Sequence, residues 1–440
     1  MTRRASHGDL AAFLNKIEST EALVGVVGLG YVGLPVALSF AQAGFRVHGV
    51  DVDESRIRSL EARESYLGDV ASEQIVDLMK ASRFSVGSDY SPLAEADAIL
   101  ISVPTPLSEG TPDLSRVVAC GKSLAAVLKP NSLIVLESTT YPGTTQELLA
   151  PLLEQFGMTA GEDFYLAFSP ERIDPGNPIY DFNDIPKVVG GVNEASTKAA
   201  SKLYESVLPK VFTVSSPKEA ELSKLIENTF RHVNIALVNE LAVYAHDMGV
   251  DIWESIEAAA TKPFGFMPFW PGPGWGGHCI PLDPAYLSYR VRKDRAHEVR
   301  FVELAHAVNA EMPRHVVERS ALLLNGIGKA VRGSKILGVG IAYKGGTEDM
   351  RGSAAIKVLN ELKGRGAEVC YHDPLVPEIE MDDRKLRSVE ITTELFEKVD
   401  LTVIFVDQLQ VNWEILASGH YPVLDCCNAL RVRSPKIERL

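Results

Sequence analysis

Residues 23–51 hold the pattern that most restricts how this chain can fold. Leu23 to Val27 are apolar, as in a buried strand, and lead into Gly28-Leu29-Gly30-Tyr31-Val32-Gly33. A helical pattern then ends near Gly44, and a second predicted strand, Arg46 to Val50, closes on Asp51. Glycine-rich turns also occur without a nucleotide, but a turn between strand and helix with an acid about 20 residues later is typical of a dinucleotide-binding Rossmann unit.

The glycines of this turn have different predicted tasks. Gly28 permits the tight turn, Gly30 lets a pyrophosphate approach the backbone at the helix N-terminus, and Gly33 allows close packing of the helix on the strand. Asp51 would accept the ribose hydroxyls and repel a 2′-phosphate, so the sequence predicts NAD rather than NADP. The predicted cofactor-binding residues of this unit are Gly28, Gly30, Tyr31, Val32, Gly33 and Asp51.

Three later apolar segments each end in small hydroxyl or charged residues. Open α/β sheets bind their ligands at the carboxyl ends of the strands. Thr105, Thr139 and Glu171 are therefore candidates for lining a nicotinamide site, although each of them taken alone is more often an ordinary turn residue. The three predicted strands are Ala98 to Val103, Ser132 to Leu136 and Tyr165 to Phe168.

A long amphipathic helix is predicted from Glu219 to about Met248, where Gly249 ends it. Lys224 and Asn228 are four residues apart and so share one face of this helix. That face could present functional side chains, or it could be a solvated stripe with no further role.

Residues 271–284 are dense in glycine and proline around Cys279. Four glycines in so short a span predict a loop, because glycine loses more backbone entropy on folding than any other residue. The loop presents a thiol next to His278, with a carboxylate at Asp283. This arrangement suits covalent catalysis, and the alternative is a turn with a buried structural cysteine.

A second α/β unit begins near Gly333. The predicted fold class is α/β, with two Rossmann-like doubly wound parallel-sheet domains joined by a long central helix and a helical segment. We expect residues 1–210 to form the NAD-binding domain, 211–325 a central helical domain with the cysteine loop, and 326–440 the second Rossmann-like domain. The elements predicted in this last domain are strands at Lys335 to Ile341, Glu368 to Tyr371, Leu401 to Val406 and Val423 to Leu424, and a helix at Ala354 to Leu362.

Composition argues against several classes of protein. The net charge of −14 disfavours a nucleic-acid partner. The five cysteines are few, odd in number and without metal-ligand spacing, which predicts a reducing, cytoplasmic compartment, no disulfide framework and no metal. The first residues are basic but contain no sustained apolar run, so we expect neither a signal peptide nor membrane insertion.

Several motifs, in the same order along the chain, resemble the UDP-glucose/GDP-mannose dehydrogenase family. The resemblance covers nearly all of the chain after residue 20. Three further runs, Glu137 to Thr145, Pro175 to Pro178 and Lys262 to Phe269, are similar to the bacterial UDP-N-acetylglucosamine 6-dehydrogenases within that family. The motifs are Gly28 to Pro35, Ser169-Pro170-Glu171-Arg172, Glu227-Asn228, Gly276-Gly277-His278-Cys279, and Tyr343-Lys344 with Asp349-Met350-Arg351.

This resemblance implies that the C6 alcohol of a nucleotide sugar is oxidised to a carboxylate in two hydride transfers to NAD⁺. Cys279 matches the family's nucleophile, which holds the C6 aldehyde as a thiohemiacetal and then as a thioester that water hydrolyses. Lys224 and Asn228 match a helix pair that positions a water and stabilises the developing oxyanion. Asp283 matches an acid that sits with the cysteine and the lysine.

The resemblance also implies the remaining site residues. Glu171 matches a glutamate that handles the C6 proton or water, and Thr139 matches a threonine near that water and the nicotinamide. Arg56 stands where the family places a basic residue on the adenosine side of NAD. Further cofactor contacts are implied for Thr105, Lys344 and Arg351, and substrate contacts for Glu171, Arg172, Lys224, Asn228, Phe269, Gly276 and Lys344.

The resemblance further implies a UDP-sugar in the C-terminal domain, NAD in the N-terminal domain, a homodimer formed through the long helix, and a place in polysaccharide biosynthesis. Leu282 and Pro175 stand where the UDP-glucose branch usually has a lysine and a glutamate. The expected substrate is therefore UDP-N-acetylglucosamine, with UDP-N-acetylgalactosamine, UDP-N-acetylmannosamine and UDP-glucose as alternatives.

Two other functions fit a Rossmann unit followed by helices. A two-electron dehydrogenase of the 6-phosphogluconate or 3-hydroxyacyl type would have no use for Cys279 and would release one NADH per turnover. A catalytically inactive NAD-binding scaffold would have no need of the cysteine, lysine, asparagine and aspartate that this chain retains, so we consider it less favoured.

Asp51 gives the first testable prediction. Replacing it with a small neutral residue should narrow the preference for NAD over NADP by at least about tenfold, or roughly 1.4 kcal/mol, because the carboxylate no longer repels the 2′-phosphate. The ratio of the kcat/KM values for the two cofactors measures the effect. An unchanged ratio would mean that cofactor choice is made elsewhere in the chain.

Overall fold

The computed structural model describes residues 7–68, 70–108, 110–172, 184–277, 279–381, 384–417, 422–432 and 434–440, with only the backbone of His7, Gly8 and Cys279. The chain divides into two compact units. The first comprises Met1–Glu227 with Ala285–Ala296, and the second comprises Asn228–Pro284 with His297–Leu440.

The first unit is built on an eight-stranded sheet. The strands of the first unit, inside and outside this sheet, are β1 (Leu23–Val27), β2 (Arg46–Val50), β3 (Phe84–Gly87), β4 (Ala98–Ile101), β5 (Leu107–Ser108), β6 (Thr111–Pro112), β7 (Leu133–Leu136), β8 (Tyr165–Phe168), β9 (Lys187–Gly191) and β10 (Val211–Thr213). The sheet order is β10-β9-β8-β7-β4-β1-β2-β3, and β5 pairs with β6 in a separate hairpin. Within the sheet β8 and β9 run antiparallel, and the other neighbouring strands run parallel.

Helices alternate with these strands along the chain. They are α1 (His7–Glu18), α2 (Gly33–Gln42), α3 (Glu54–Glu61), α4 (Ser72–Lys80), α5 (Ser115–Ala125), α6 (Ala150–Leu153) and α7 (Glu194–Glu205), with 3₁₀ turns at Ser91–Glu95 and Glu154–Phe156 and a π-helical turn at Thr145–Leu149. Every residue of β4, β7 and β8 is buried. Strands covered on both faces read as continuous apolar runs, which is why the sequence showed them clearly.

The second unit contains a five-stranded parallel sheet in the order β12-β11-β15-β16-β17, beside a β13-β14 hairpin. These strands are β11 (Lys335–Val339), β12 (Glu368–His372), β13 (Glu378–Met381), β14 (Arg384–Arg387), β15 (Leu401–Ile404), β16 (Val423–Asp425) and β17 (Ile437–Arg439). The remaining helices are α8 (Pro217–Asp247), α9 (Ile252–Ala260), α10 (Cys279–Arg295), α11 (Arg300–Gly326), α12 (Ala354–Gly364), α13 (Thr393–Phe396) and α14 (Trp413–Ala417), and the boundaries between the two units fall within α8, within α10 and just after α10.

The predicted fold class is confirmed by these two largely parallel sheets with intervening helices. The strands β1, β2 and β8 have the predicted bounds, and the long helix α8 covers Pro217–Asp247 where Glu219 to Met248 was expected. The three-domain division at residues 210 and 325 stays a prediction. Among the helices that the structure describes, none is both long enough and apolar enough to cross a membrane.

One prediction about local structure is wrong. The run 271–284 was expected to be a loop throughout, yet α10 begins at Cys279. The glycines that indicated a loop end at Gly277, and proline is tolerated in a first helical turn because the N–H groups there have no partner inside the helix. Pro284 lies further inside α10, where it removes one backbone hydrogen bond.

Candidate active site

The glycine-rich turn after β1 leaves no room for side chains at two positions. Gly28 has a φ of +92°, and a Cβ there would lie 2.4 Å from the carbonyl oxygen of Ser102. A Cβ at Gly33 would lie 1.8 Å from the carbonyl oxygen of Gly28, so the close approach at Gly33 is to the turn itself rather than to the strand. At Gly30 the nearest atom to such a Cβ is Arg56 Nη1, 3.9 Å away, which leaves space above the backbone for a ligand. The turn thus fits a dinucleotide.

Tyr31 and Val32 complete this turn. The side chain of Tyr31 is exposed. Val32 is the N-cap residue of α2, and no side chain caps that helix end. The N–H of Leu34 donates to the carbonyl oxygen of Gly30 at 3.2 Å and Pro35 has no N–H, so the expected pyrophosphate would meet only part of the first turn of α2.

Asp51 holds the turn from the end of β2. Its Oδ2 accepts a hydrogen bond from the backbone N–H of Leu29 at 2.8 Å, and its Oδ1 accepts one from the N–H of Asp53 at 2.9 Å. Arg56 Nη1 lies 3.2 Å from Asp51 Oδ2. The guanidinium of Arg56 also lies over the ring of Tyr66, 5.9 Å from its centroid. The acid predicted to contact ribose therefore also fixes the shape of the loop.

The ends of β4 and β7 are joined through two of the predicted residues. Thr105 Oγ1 donates to the carbonyl oxygen of Thr139 at 2.8 Å, and Tyr286 of α10 donates its hydroxyl to the carbonyl oxygen of Thr105 at 2.7 Å. Thr140 was not singled out from the sequence. It is fully buried, and its hydroxyl has no hydrogen-bonding partner among the residues that the structure describes. Two consecutive threonines give no sequence signal that tells which one faces inward.

Glu171 follows β8 and is part of a buried charge cluster that we call the Lys187 cluster, formed by Glu137, Glu171, Lys187 and Tyr204. Lys187 Nζ lies 2.9 Å from Glu137 Oε1 and 3.1 Å from Glu171 Oε2. Tyr204 donates its hydroxyl to Glu137 Oε1 at 2.7 Å. Burial opposes the charged form of Lys187, but the two carboxylates, Glu137 foremost, outweigh it and raise the pKa of the ammonium. Sequence reasoning missed Lys187 because a lysine at the start of a strand usually faces solvent.

Arg172, the predicted substrate contact next to Glu171, is engaged within the first unit. Its Nη2 lies 2.8 Å from Glu227 Oε1, and its Nη1 donates to the carbonyl oxygen of Pro186 at 2.6 Å. The arginine therefore links the end of β8 to α8 through the glutamate of the Glu227-Asn228 motif.

A second link between the strand ends and α8 is made by Glu221. Its carboxylate accepts hydrogen bonds from the backbone N–H of Gly143, from the backbone N–H of Thr145 at 2.8 Å and from Thr145 Oγ1 at 2.7 Å. Burial raises the pKa of Glu221 to about 7, against the opposing effect of these hydrogen bonds. The turn that follows Thr139 and Thr140 is thereby fastened to the helix that carries Lys224.

The predicted pair on α8 is not a solvated stripe, since Lys224 and Asn228 are both buried. Asn228 Nδ2 donates to Asp283 Oδ2, and Asp283 is buried as well. Asp283 stands four residues after Cys279 in α10, so the two share one face of that helix. The thiol of Cys279, all of His278 and Pro175 lie outside the part of the chain that the structure describes.

Within the second unit the glycine-rich run packs against the loop after β11. The N–H of Gly277 donates to the carbonyl oxygen of Arg351 at 2.8 Å, and a Cβ at Gly276 would lie 2.8 Å from the Cβ of Tyr343. The guanidinium of Arg351 pairs with Asp349, with Nη2 2.6 Å from Oδ2. Lys344 Nζ lies 5.8 Å from the centroid of the Tyr343 ring. The predicted cofactor and substrate contacts of Lys344 and Arg351 stay predictions.

The aromatic run before the cysteine has two environments. Phe269 is partly buried and meets Phe230 edge to face at 5.6 Å between ring centroids. Trp270 stacks on Trp253 at 5.5 Å. Phe264 is exposed, with Lys262 Nζ 4.9 Å from its ring centroid.

In a comparison with known proteins, the chain matches all three domains of one protein family. Residues 22–208 match the NAD binding domain of the UDP-glucose/GDP-mannose dehydrogenase family, 218–311 match its central domain, and 337–431 match its UDP binding domain.

Individual proteins similar in sequence to this chain are also nucleotide-sugar dehydrogenases. The chain is 33% identical over 418 residues to the UDP-N-acetyl-D-mannosamine dehydrogenase of Pyrococcus horikoshii, covering 93% of this chain and 96% of that protein. It is 37% identical over 359 residues to the UDP-N-acetyl-D-glucosamine 6-dehydrogenase of Pseudomonas aeruginosa, covering 80% of this chain and 83% of that protein.

Solved structures show the same likeness. The UDP-D-ManNAc dehydrogenase of Pyrococcus horikoshii superposes with a TM-score of 0.85 at 32% identity over 95% of this chain and 98% of that one. The UDP-glucose dehydrogenase of Pyrobaculum islandicum superposes with a TM-score of 0.82 at 29% identity over 95% of this chain and 97% of that one. The chain therefore belongs to the UDP-glucose/GDP-mannose dehydrogenase family, and it is an NAD-dependent nucleotide-sugar dehydrogenase.

Proposed function

We propose that this enzyme oxidises the C6 alcohol of UDP-N-acetylglucosamine to the carboxylate in two steps, through a thioester on Cys279. The observation that supports it most is the buried polar pair of Asn228 and Asp283, with Asp283 one helical turn after Cys279. Buried polar groups are costly unless they are bonded, so a buried amide and carboxylate beside a cysteine position argue for a site rather than for a structural turn.

Bound NAD⁺ would accept a hydride in each step, held by the Gly28 to Gly33 turn and Asp51. Overall, one alcohol, two NAD⁺ and one water give one carboxylate, two NADH and three protons. Cys279, as thiolate, adds to C6 of the aldehyde and leaves again when water attacks the thioester carbon. The first residue of α10 is a favourable place for an anion, because the first N–H groups of a helix carry partial positive charge.

The other side chains would bind and orient. Lys224 and Asn228 would donate hydrogen bonds to the oxyanion that develops at C6, and Asp283 would hold the Asn228 amide in place. Glu171 would accept the proton from the C6 hydroxyl or from the attacking water, near Thr139. Fixed donors and acceptors of this kind stabilise charge without needing to reorganise during the reaction.

The choice of UDP-N-acetylglucosamine is the finer part of this proposal. An acetamido group needs partners for its N–H and C=O, and its methyl group needs an apolar wall. Phe264, Phe266 and Trp270 keep exposed ring surface and could supply that wall, or could equally form a subunit contact. Relatives act on UDP-N-acetylmannosamine as well as on UDP-N-acetylglucosamine, as their names state, so the epimers stay alternatives.

We also propose that α8 makes a homodimer. Phe230, Leu237, Leu241 and Tyr244 recur at spacings of seven, four and three residues, so they form one apolar stripe along the helix. Their side chains are between 45% and 55% exposed in the single chain. A stripe that every copy carries can cover itself in a two-fold contact, which supports a second copy as its partner. A cytoplasmic location stays a prediction from the cysteine content.

The covalent step predicts the behaviour of Cys279→Ala. Acid formation should fall by several orders of magnitude while NAD and UDP-sugar still bind, because the substitution removes the nucleophile and not the binding surfaces. Rates of NADH formation and ligand titrations measure the two effects. Cys370→Ala removes a thiol from β12 and serves as the matched control, with activity retained. Near wild-type acid production by Cys279→Ala would rule out the mechanism.

The substrate proposal predicts the highest kcat/KM with UDP-N-acetylglucosamine in a panel that includes its C2 and C4 epimers and UDP-glucose. The margin over UDP-glucose should be about 10- to 200-fold if the acetamido group is only accommodated, and larger if its amide is hydrogen-bonded. Two NADH should form per sugar at completion. A preference for another sugar would contradict the proposed substrate but not the proposed reaction. One NADH per sugar would contradict the two-step oxidation as well. No turnover with any of the sugars would favour the catalytically inactive scaffold.

The dimer proposal predicts that Leu237→Glu combined with Leu241→Glu converts a dimer to a monomer, because two charges per chain would be buried in the contact. Light scattering after size-exclusion chromatography measures the mass. Leu409→Glu changes another exposed leucine, 84% accessible, and should leave the dimer intact. A dimeric double variant, or a monomeric wild-type protein, would contradict the assignment of α8.

A further inference from the structure

We propose that Lys187 is a positioning residue that keeps Glu171 ionised and aimed for proton transfer, an inference that rests on the role of Glu171 in the proposed function. Lys187 is the first residue of β9. Its ammonium lies between the carboxylates of Glu137, just after β7, and Glu171, just after β8. These are the strand ends at which the reaction is expected to take place.

The side chains of this cluster differ in how far they are buried. Lys187 is 4% exposed and Glu137 is fully buried, whereas Glu171 is 12% exposed. A buried ammonium and a buried carboxylate stabilise each other only as a pair, and Tyr204 adds a hydrogen bond to the same oxygen of Glu137. Lys187 and Glu137 therefore form the neutral inner pair, and Glu171 is the carboxylate that can exchange protons with a substrate or water.

The charge balance makes Glu171 sensitive to its two neighbours. One ammonium serves two carboxylates, so the cluster carries one net negative charge when both are ionised. Lys187 at 3.1 Å favours ionised Glu171, whereas Glu137 disfavours it, because opposite charges promote ionisation and like charges oppose it. Other groups near Glu171 in the described part of the chain include Tyr204 of α7, and Arg172, whose guanidinium is paired with Glu227.

The hydrogen bonds of this cluster also orient the carboxylate of Glu171. Lys187 Nζ donates a hydrogen bond to Glu171 Oε2, and the backbone N–H of Arg172 donates one to Glu171 Oε1 at 2.6 Å. A base with a donor on each of its two oxygens is held in a fixed direction, as general-base catalysis needs. Removing Lys187 would therefore change both the direction of the carboxylate and the pH at which it loses its proton.

The test is the pH dependence of kcat/KM, measured with the UDP-sugar that wild-type enzyme oxidises fastest. Lys187→Met should move the acidic limb of the profile to higher pH by about one unit or more, since Glu171 then loses the ammonium that lies 3.1 Å from it. Glu137→Gln should move it to lower pH, since the ammonium then serves Glu171 alone. Lys187→Arg keeps the charge and should leave the limb near its wild-type position.

Opposite shifts for Lys187→Met and Glu137→Gln are the result that supports the inference, because a purely structural role would lower activity at every pH without moving the limb. An unmoved limb in both variants, or movement in the same direction, overturns it. Circular dichroism would show whether Lys187→Met folds. If it does not, the other two variants still test the inference: the acidic limb should move to lower pH in Glu137→Gln and stay near its wild-type position in Lys187→Arg. A wild-type enzyme that oxidises no UDP-sugar would instead refute the proposed function.

Discussion

The first unit depends on buried carboxylates that bind the loops at the ends of its strands to neighbouring elements. Glu221 is the clearest case, since one side chain on α8 satisfies two backbone N–H groups and one hydroxyl in the turn around Thr145. An unsatisfied buried N–H costs about 1–3 kcal/mol, so losing such an anchor would free the whole turn. Lys224 lies one turn further along the same helix, and Thr139 just before the same turn. The contact therefore holds this turn against the part of α8 that carries Lys224.

The fold was readable from the sequence because its signals are local. Gly28 and Gly33 stand where a Cβ would clash with a backbone oxygen, and fully buried strands such as β7 and β8 are uninterrupted apolar runs. The start of α10 at Cys279 was not readable, because proline breaks a helix only where it replaces a bonded N–H and the first turn has none. Composition alone cannot show where along a proline-rich run a helix begins.

The candidate site was predictable in its motif residues but not in the groups that support them. Asp283 was expected beside the cysteine and the lysine, and the structure joins it to Asn228, the other predicted residue of α8, by a hydrogen bond. Lys187 and Glu221 carry no motif, and their roles arise from contacts between residues far apart in sequence. A buried charge is stable only beside its partner, and the sequence does not reveal that partner until the strands are assembled.

Asp51 has a consequence for redesigning the cofactor preference. Its carboxylate accepts hydrogen bonds from the N–H groups of Leu29 and Asp53 and pairs with the guanidinium of Arg56, whose Nε also lies 3.6 Å from Asp53 Oδ2. Removing it would free the two N–H groups and leave Arg56 with Asp53. The guanidinium, no longer paired with Asp51, could then also bind a 2′-phosphate, because arginine binds phosphate oxygens well. The released N–H groups would loosen the turn. An asparagine, which keeps an oxygen for the Leu29 N–H and drops the charge, would separate the two effects and leave Arg56 to recruit NADP.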